Sequence, residues 1–478
     1  MAAEDSDTTN PFLSSVTPWV NRKDWRSHLY AHPLRTVRWK SMSLEEREQL
    51  LVTHRRFHFP SSDSLRLAGA LQSDVYAAIT ARDPRRPENI AASNSLLITA
   101  GLPIPNDHSL FHSAGGATVM GDSGVGKSSS LRAIMRALFP RQCIDYGSSL
   151  EAYGIARLLQ ISYLIIEFNE DGSAWTLITA ICGAIDDIAG TSHQRSIRNA
   201  RNAESALDDV IRILRAHNVF VIVFDELQKD SLRKRGRSPD LVSYFKKLMN
   251  VGISVILSGH SSAFFRMQSN LQLMRRFSTM GVYELVRGFG GRSKEWSAFV
   301  QGMMTYRVVD EVRDPKVVAA ALTKHSGLTQ GFLSQLWVAA QKVSLMRGGD
   351  SVTLTADDVL VAAASEEYAS TRRIIAEMAP ASGRASSFED LTPVPISPVG
   401  HQGSGTGGSK PLVPTMRNVP DSVKDLARAK KRSEAKRRSS KEAERDVETL
   451  DEDDLRRILQ AGQSPEALGV GPQGTLEL

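Results

Sequence analysis

Eight consecutive residues constrain this chain more than any other feature, because they fit the pattern G-x-x-x-x-G-K-[ST]: Gly121, Asp122, Ser123, Gly124, Val125, Gly126, Lys127 and Ser128. Residues 117–120 predict a strand that leads into this stretch, and residues 128–138 predict the helix that leaves it. Glycines let backbone N–H groups turn inward around a phosphate, and the helix N-terminus adds partial positive charge. The pattern predicts a phosphate-binding loop that extends to Ser129, with Lys127 on the β- and γ-phosphates and the Ser128 hydroxyl on Mg²⁺.

A pair of carboxylates follows a run of five apolar residues, 220–224. A strand buried on both faces of a parallel sheet has this pattern, and ligands bind at the carboxyl edge of such sheets. Asp225 is therefore predicted to hold Mg²⁺ through water, and Glu226 to orient and deprotonate an attacking water. Together with the phosphate loop, this pair predicts ATP hydrolysis.

Short β-branched runs alternate with helical stretches between residues 110 and 290, which is typical of an α/β fold with a parallel sheet. The predicted strands cover residues 117–120, 163–168, 219–224, 253–257 and 282–285. In the sheet order usual for P-loop proteins, the fourth strand lies between those that carry Lys127 and Asp225. A polar side chain at its tip would contact the γ-phosphate or the attacking water, and Ser258 and His260 are both candidates.

Two arginines, Arg275 and Arg276, end a predicted helix just before the last strand. In ring or filament ATPases an arginine at such a position faces the γ-phosphate of the neighbouring subunit, where it neutralises transition-state charge. The alternative is that the pair caps the C-terminus of its own helix. The sequence leaves open which of the two arginines would be the finger.

The composition divides the chain into five parts. Residues 1–90 predict a helical N-terminal region that binds partners, with a helix at 43–57, and residues 91–290 predict the α/β core. Residues 380–423 are rich in Gly, Pro, Ser and Thr and predict a disordered linker, and residues 424–478 form a charged tail. Residues 291–379 between them predict a small all-helical unit, with helices at 294–306, 315–325, 332–345 and 356–378.

The net charge of +6 is concentrated in the tail, because residues 424–445 hold ten basic and four acidic residues. An acidic partner is therefore expected mainly there. The two cysteines exclude a disulfide framework and multi-cysteine zinc sites, and they fit a reducing compartment. Since no apolar run reaches about eighteen residues, we expect a cytoplasmic protein that does not span a membrane.

These features together resemble the AAA+ superfamily of P-loop ATPases. More narrowly, the chain resembles the transposition-regulator ATPases of the TniB/TnsC type, on the stretches His54-Arg55-Arg56-Phe57-His58-Phe59-Pro60, Tyr76 to Arg82-Asp83-Pro84, Asp225-Glu226-Leu227-Gln228 and Ser258-Gly259-His260. The expected fold is an α/β AAA+ core with a five-stranded parallel sheet, a small all-helical lid, a helical N-terminal region and a disordered basic C-terminal tail.

The resemblance implies ATP and Mg²⁺ as cofactors, and a homo-oligomer on double-stranded DNA, as a ring or filament of about six or seven subunits per turn. It also implies transposase subunits and a target selector of the TniQ or TnsD type as partners. Arginine and lysine contacts to phosphate position a duplex without reading its sequence. The alternative for a basic stretch is that it is only a solvated loop. Two basic stretches are candidates for such contacts: Arg195 and Arg198 in the first, and Lys229, Arg233, Lys234, Arg235 and Arg237 in the second.

One departure from the AAA+ pattern concerns the lid. Many AAA+ lids place an arginine at the start of the third lid helix, whereas residues 327–333 contain none. We therefore expect slow, DNA-stimulated hydrolysis, with a turnover not above roughly one per second. Two other classes stay open: an initiator or loader ATPase that acts on DNA, and a nucleotide-gated scaffold that hydrolyses ATP incidentally.

Overall fold

The computed structural model describes residues 9–98, 113–168, 173–200, 202–228, 241–264, 271–349 and 351–378 of the chain. The α-helices in this part are α1 (Trp25–Leu29), α2 (Leu44–Leu50), α3 (Ser62–Ala81), α4 (Pro87–Ile98), α5 (Lys127–Leu138), α6 (Ala174–Ala189), α7 (His193–Ile197), α8 (Ala203–Ala216), α9 (Leu241–Asn250), α10 (Leu271–Arg276), α11 (Ser293–Thr305), α12 (Pro315–His325), α13 (Gln330–Arg347), α14 (Ala356–Ala364) and α15 (Ala369–Met378). Short 3₁₀-helices lie at Pro11–Ser15, Trp39–Ser41, Leu51–Arg56, Glu151–Tyr153, Ser261–Phe264 and Arg287–Gly291.

The strands are β1 (Gly116–Met120), β2 (Cys143–Asp145), β3 (Leu159–Ile161), β4 (Tyr163–Glu167), β5 (Val221–Leu227), β6 (Ser254–Gly259), β7 (Gly281–Glu284), β8 (Glu311–Val312) and β9 (Thr353–Leu354). Five of them form one sheet in the order β4-β5-β6-β1-β7, and every pairing in it is parallel. The predicted five-stranded parallel sheet is therefore confirmed. The strand β6 lies between β1 and β5, as the P-loop order requires.

The sheet is the middle layer of the α/β core, with helices on both faces. One face packs against α6, α8 and α9 in a core that contains Ile178, Ile211 and Phe245. The other face packs against α3 and α5, with Leu71 and Ile134 fully buried. Successive side chains of a strand point to opposite faces of the sheet. Because these strands are apolar at successive positions, each contributes side chains to both cores.

The N-terminal segment packs on the core and on the lid, the unit formed by α11 to α15. Its early residues, such as Trp25, belong to the core beneath α3 and α5, whereas Leu51 belongs to the apolar cluster of the lid. Polar contacts add to the second attachment: Arg47 Nη1 lies 3.0 Å from Asp310 Oδ2, and the Tyr306 hydroxyl donates to the Leu50 carbonyl at 2.9 Å. The segment thus contacts both the α/β core, which contains the phosphate loop, and the lid.

Two predicted helices have different ends in the structure. The helix expected at 356–378 is wrong as a single element, because α14 ends at Ala364 and Ser365 is extended. The break lets the buried Tyr368 donate its hydroxyl to the His325 carbonyl at 3.1 Å, a tertiary contact that overrides local helix propensity. The helix expected at 43–57 begins with the predicted Ser43–Glu46 capping box and becomes 3₁₀ from Leu51.

Candidate active site

The phosphate loop connects β1 to α5 at the carboxyl edge of the sheet. Gly124 and Gly126 have φ values of 80° and 92°, which favour glycine, and a Cβ on Gly121 would collide with the carbonyl oxygen of Leu285. The Lys127 ammonium donates to the carbonyl oxygens of Gly121 and Asp122, each at 2.9 Å. The loop therefore has the backbone of a phosphate cradle, and its lysine is held against the loop itself.

The carboxylates of β5 reach the same edge by a local distortion of the strand. The register between β5 and β6 shifts between Phe224 and Leu227, and Glu226 in that bulge has a φ of 61°. Its side chain is exposed, and the Ser128 hydroxyl donates to its Oε1 at 3.4 Å. The bulge thus turns Glu226 out of the sheet and toward the first turn of α5.

Asp225, in contrast, is 1% exposed. Its Oδ1 accepts a hydrogen bond from the Glu226 backbone N–H at 3.0 Å. Its Oδ2 is buried and has no hydrogen-bond partner among the described residues. A buried carboxylate oxygen without a partner is costly, so this atom is suited to a cation or an ordered water.

The two candidates at the tip of β6 differ in their surroundings. Ser258 is fully buried, and its hydroxyl has no hydrogen-bond partner in the described part of the chain. It pairs with Val119 of β1, and strand alternation places its side chain on the same sheet face as Asp225. His260 instead lies beside the phosphate loop, with its Nε2 3.4 Å from Asp122 Oδ1. Of the two candidates, Ser258 is therefore the one that shares a sheet face with Asp225.

A cleft of about 460 Å³ opens at this edge of the sheet. The phosphate loop and Glu226 line it. Apolar and aromatic side chains from the N-terminal segment, the end of β7 and the lid also line it: Phe57, His58, Phe59, Leu285, Phe289, Phe299 and Met303. Polar side chains from the N-terminal segment and α13 complete the lining, among them His54, Arg55, Gln330 and Gln335. A phosphate cradle with aromatic side chains in the same cleft suits a ligand that combines phosphates with a flat base.

Sequence reasoning missed the aromatic side chains that line the cleft. Their one available signal was the aromatic stretch Phe57-His58-Phe59, noted for its resemblance and not for a place in the site. Burial, and secondarily the charge of Arg136, lower the pKa of His58 to about 4. The imidazole is therefore neutral near pH 7 and contributes a flat, uncharged surface to the cleft.

The residues present fit a magnesium–nucleotide complex. The Oδ2 of Asp225, which has no hydrogen-bond partner in the described part of the chain, and the hydroxyl of Ser128 are the kind of hard oxygen ligands that Mg²⁺ prefers. The glycines of the loop leave the backbone approach open, and Lys127 supplies a positive charge at its end. Asp225 and Ser128 are thus the residues that would hold the metal.

The two arginines lie at the amino edge of the sheet, where the strands begin. Arg276 Nη1 donates to the Ser113 hydroxyl at 3.0 Å, three residues before β1, and Arg275 is exposed. The length of a five-residue strand, roughly 13 Å, separates this edge from the phosphate loop. Neither arginine is therefore placed at the cleft of its own chain.

The predicted DNA contacts divide between described and undescribed residues. Arg195 and Arg198 are exposed, on α7 and directly after it. His193 at the start of α7 lies with its Nε2 3.2 Å from Nε2 of His217, shortly before β5 begins, so this cluster also lies at the amino edge. The other five candidates, Lys229, Arg233, Lys234, Arg235 and Arg237, lie outside the described residues.

Comparison with known families supports the class of the core. A family model described as an AAA domain matches residues 110–267. Together with the sheet order and the phosphate loop, this match defines an AAA-type P-loop ATPase domain with an α/β AAA+ fold. A comparison with curated protein sequences found no match.

Similar solved structures include two proteins from Aeropyrum pernix and one from Pyrobaculum aerophilum. The Aeropyrum pernix ORC1 protein in complex with DNA is 16% identical, with 60% of this chain and 65% of that chain covered and a TM-score of 0.35. The Aeropyrum pernix ORC2 protein in ADPNP-ADP complexes is 15% identical, with 59% and 68% covered and a TM-score of 0.36. Cdc6p from Pyrobaculum aerophilum is 16% identical, with 53% and 60% covered and a TM-score of 0.31. The chain spans less than two thirds of the first of these structures.

Among the described residues, no helix combines the length and the apolar character needed to cross a bilayer.

Proposed function

We propose that this chain hydrolyses ATP and uses the cycle to regulate DNA transposition as an oligomer on double-stranded DNA. The observation that carries the hydrolytic part is the pair of carboxylates at the end of β5. Among the described residues, one oxygen of Asp225 has no hydrogen-bond partner, while Glu226 projects from a strained bulge toward Ser128. A strained backbone at a position with no packing role points to a functional constraint.

The chemistry follows from these positions. Lys127 exchanges the carbonyls of Gly121 and Asp122 for the β- and γ-phosphates, which offer stronger, charge-assisted bonds. Mg²⁺ at Asp225 and Ser128 would neutralise charge on the same phosphates. The carboxylate of Glu226 orients a water for in-line attack and takes its proton, and the Ser258 hydroxyl is placed to bind the γ-phosphate or that water.

The arginine finger of this proposal acts on the neighbouring subunit. An arginine at the amino edge of the sheet cannot reach the phosphates at the carboxyl edge of the same subunit, so it serves only a partner. Arg275 is the better candidate of the two, because its side chain is exposed while Arg276 is engaged with Ser113. The proposed oligomer is a ring or filament with such a contact at each interface.

The partners proposed are duplex DNA, transposase subunits and a target selector of the TniQ or TnsD type. The support is the resemblance on residues 54–60 and 76–84, together with the exposed Arg195 and Arg198. The composition along the chain supports the proposed division into a partner-binding N-terminal region (1–90), a core (91–290), a lid (291–379), a linker (380–423) and a charged tail (424–478). The linker and the tail lie outside the described residues.

The first experiment compares ATP hydrolysis with and without duplex DNA, and examines the same mixtures by electron microscopy. The expected result is slow basal turnover, stimulation by DNA, and rings or filaments that need a nucleotide. Glu226→Gln should keep nucleotide binding and lower turnover by at least about a hundredfold, the range of a general base. A monomer with DNA-independent turnover would refute the transposition-regulator proposal but leave the ATPase in place.

A mixing experiment tests the finger. Arg275→Ala and Glu226→Gln are each expected to be inactive alone. When equal amounts are mixed, about a quarter of the interfaces should join an intact Glu226 to an intact Arg275, and turnover should return there. Arg276→Ala serves as the matched control and should stay close to wild type. If the mixture stays inactive while the oligomers form, the finger does not act across the interface.

A further inference from the structure

The aspartate of the phosphate loop is held by an arginine at the junction with the lid. This arginine, Arg287, lies three residues after the end of β7, and its Nη2 donates to Asp122 Oδ2 at 2.6 Å. The two side chains are 4% and 10% exposed, so this ion pair is buried. Nε2 of His260, just after β6, lies 3.4 Å from Asp122 Oδ1 but forms no hydrogen bond with the described residues. Asp122 is therefore tied to the junction with the lid through Arg287.

The lid contacts the same loop a second time. The N–H of Gly331, in the first turn of α13, donates to the Gly124 carbonyl at 2.8 Å. The two contacts are linked, because the N–H of Gly288, next to Arg287, donates at 2.7 Å to the carbonyl of Leu328, just before α13. A displacement of the phosphate loop is thus transmitted to the junction and to the start of α13 together.

Buried ion pairs transmit displacement well. Separating one partner from the other leaves an uncompensated charge in a site of low polarity, which is strongly unfavourable, so the two groups move as a unit. The planar guanidinium of arginine also fixes orientation, which the single ammonium of lysine does not. Arg287 and Asp122 should therefore stay together when the loop rearranges around phosphates.

We infer that Arg287 is the positioning residue through which the lid responds to the phosphates in the cleft, by way of Asp122. This role rests on the proposed function, since it concerns the same nucleotide site. It supplies a physical path where the start of the third lid helix, residues 327–333, has no arginine. The arginine acts from the junction, and its contact is to the loop and not to the ligand.

The test uses the full chain and follows the lid directly. Hydrogen–deuterium exchange of the α13 peptides is measured with ADP and with a slowly hydrolysed ATP analogue, and the affinities for both are measured by fluorescence. In the wild type, the analogue should protect the first turn of α13 more than ADP does. Arg287→Met, which keeps the volume and removes the charge, should abolish that difference. It should also reduce the affinity ratio of analogue to ADP by about fivefold or more, the usual lower range of coupling between sites.

Two further variants separate this role from a structural one. Arg287→Lys keeps the charge and should restore part of the difference, and Asp122→Asn, which removes the charge at the other end, should behave like Arg287→Met. Arg157→Met is the matched control, because Arg157 forms an ion pair with Asp145 that is largely exposed. If Arg287→Met unfolds, Asp122→Asn decides the question in its place.

The outcomes distinguish this inference from the proposed function. A variant that keeps the full difference in α13 protection, with an unchanged affinity ratio, would overturn the role of Arg287 even if the protein hydrolyses ATP. A wild type that binds neither nucleotide would instead refute the nucleotide site itself. Loss of both affinities to the same extent in Arg287→Met and Asp122→Asn, at unchanged melting temperature, would assign the pair to the cradle alone and also overturn the inference.

Discussion

The left-handed backbone of Glu226 gives a quantitative test of the bulge on which the proposed active site depends. Its φ of 61° lies in the region that residues with a Cβ rarely occupy, and the register shift between Phe224 and Leu227 imposes it. Replacing Glu226 by alanine removes the carboxylate and keeps the Cβ. Replacing it by glycine removes both, so the difference between the two variants isolates the backbone strain.

The magnitude follows from two opposing terms. A Cβ in the left-handed region costs roughly 1–2 kcal/mol, which glycine avoids. Glycine in turn loses more chain entropy on folding, roughly 0.5–1 kcal/mol relative to alanine. The Glu226→Gly variant should therefore be more stable than Glu226→Ala by about 0.5–1 kcal/mol. For a folded unit of this size, that difference corresponds to roughly 1–3 °C in melting temperature.

The assay is thermal unfolding of both variants, with Glu284 as the control position. Glu284 is an exposed glutamate in β7 and is not among the residues with positive φ, so glycine there should be less stable than alanine. The reversal of sign between positions 226 and 284 is the expected result, and both variants at 226 should lose hydrolysis. If alanine at 226 is as stable as glycine or more so, the bulge does not hold a strained residue, and the argument from strain to function fails.

Three other substitutions or conditions test the surroundings of the cleft. Burial lowers the pKa of His58 to about 4, so the unfolded chain binds a proton at this side chain more readily than the folded protein between about pH 6.5 and 4. The free energy of unfolding should therefore be full above this range and fall by roughly 2 kcal/mol between pH 7 and 5. In unfolding measured as a function of pH, His58→Gln should reduce this loss. The buried guanidinium of Arg82 donates to Asn218 Oδ1 at 3.0 Å, to the Val219 carbonyl at 2.7 Å and to the Gly252 carbonyl. Arg82→Met should therefore lower the free energy of unfolding in denaturant by roughly 3–5 kcal/mol. Arg82→Lys should lower it by less. Gly331→Ala should raise the KM for ATP, because the added Cβ would lie 3.1 Å from the Gly124 carbonyl oxygen and push against the phosphate loop. It should not lower the melting temperature, because alanine favours the helix more than glycine does. An unchanged KM would contradict the contact between lid and loop.

The sequence predicted the parts of the site that are local in the chain. The phosphate loop is contiguous in the chain, so the spacing of its glycines, lysine and serine is enough to predict a phosphate-binding loop. The strand that delivers Asp225 is apolar on both faces, which identifies a central parallel strand before any contact is known. For the same reason, the five-stranded sheet and its boundaries were predictable to within a few residues.

The parts that depend on distant contacts could not be predicted. Asp122 and Arg287 are 165 positions apart, and neither has a local pattern that indicates a buried partner. The aromatic lining of the cleft combines Phe59, Phe289 and Phe299 from separate elements, so periodicity alone assigns each of them to an ordinary core. The break before α15 could not be predicted for a similar reason. The Ala-rich stretch lacks a proline or glycine, and the break is accompanied by contacts between distant residues, such as that of Tyr368 with His325.

Under the proposed function, the separation of the two sheet edges would let DNA stimulate hydrolysis without touching the cleft. Lys127, Asp225 and Glu226 lie at the carboxyl edge, and Arg275 lies at the amino edge, so under the proposed function one subunit holds only part of a complete site. A surface that aligns subunits side by side completes each site with the arginine of its neighbour. The exposed Arg195 and Arg198 lie at the amino edge as well. A duplex bound there would order the subunits from the side that carries the finger and leave the nucleotide edge open for exchange.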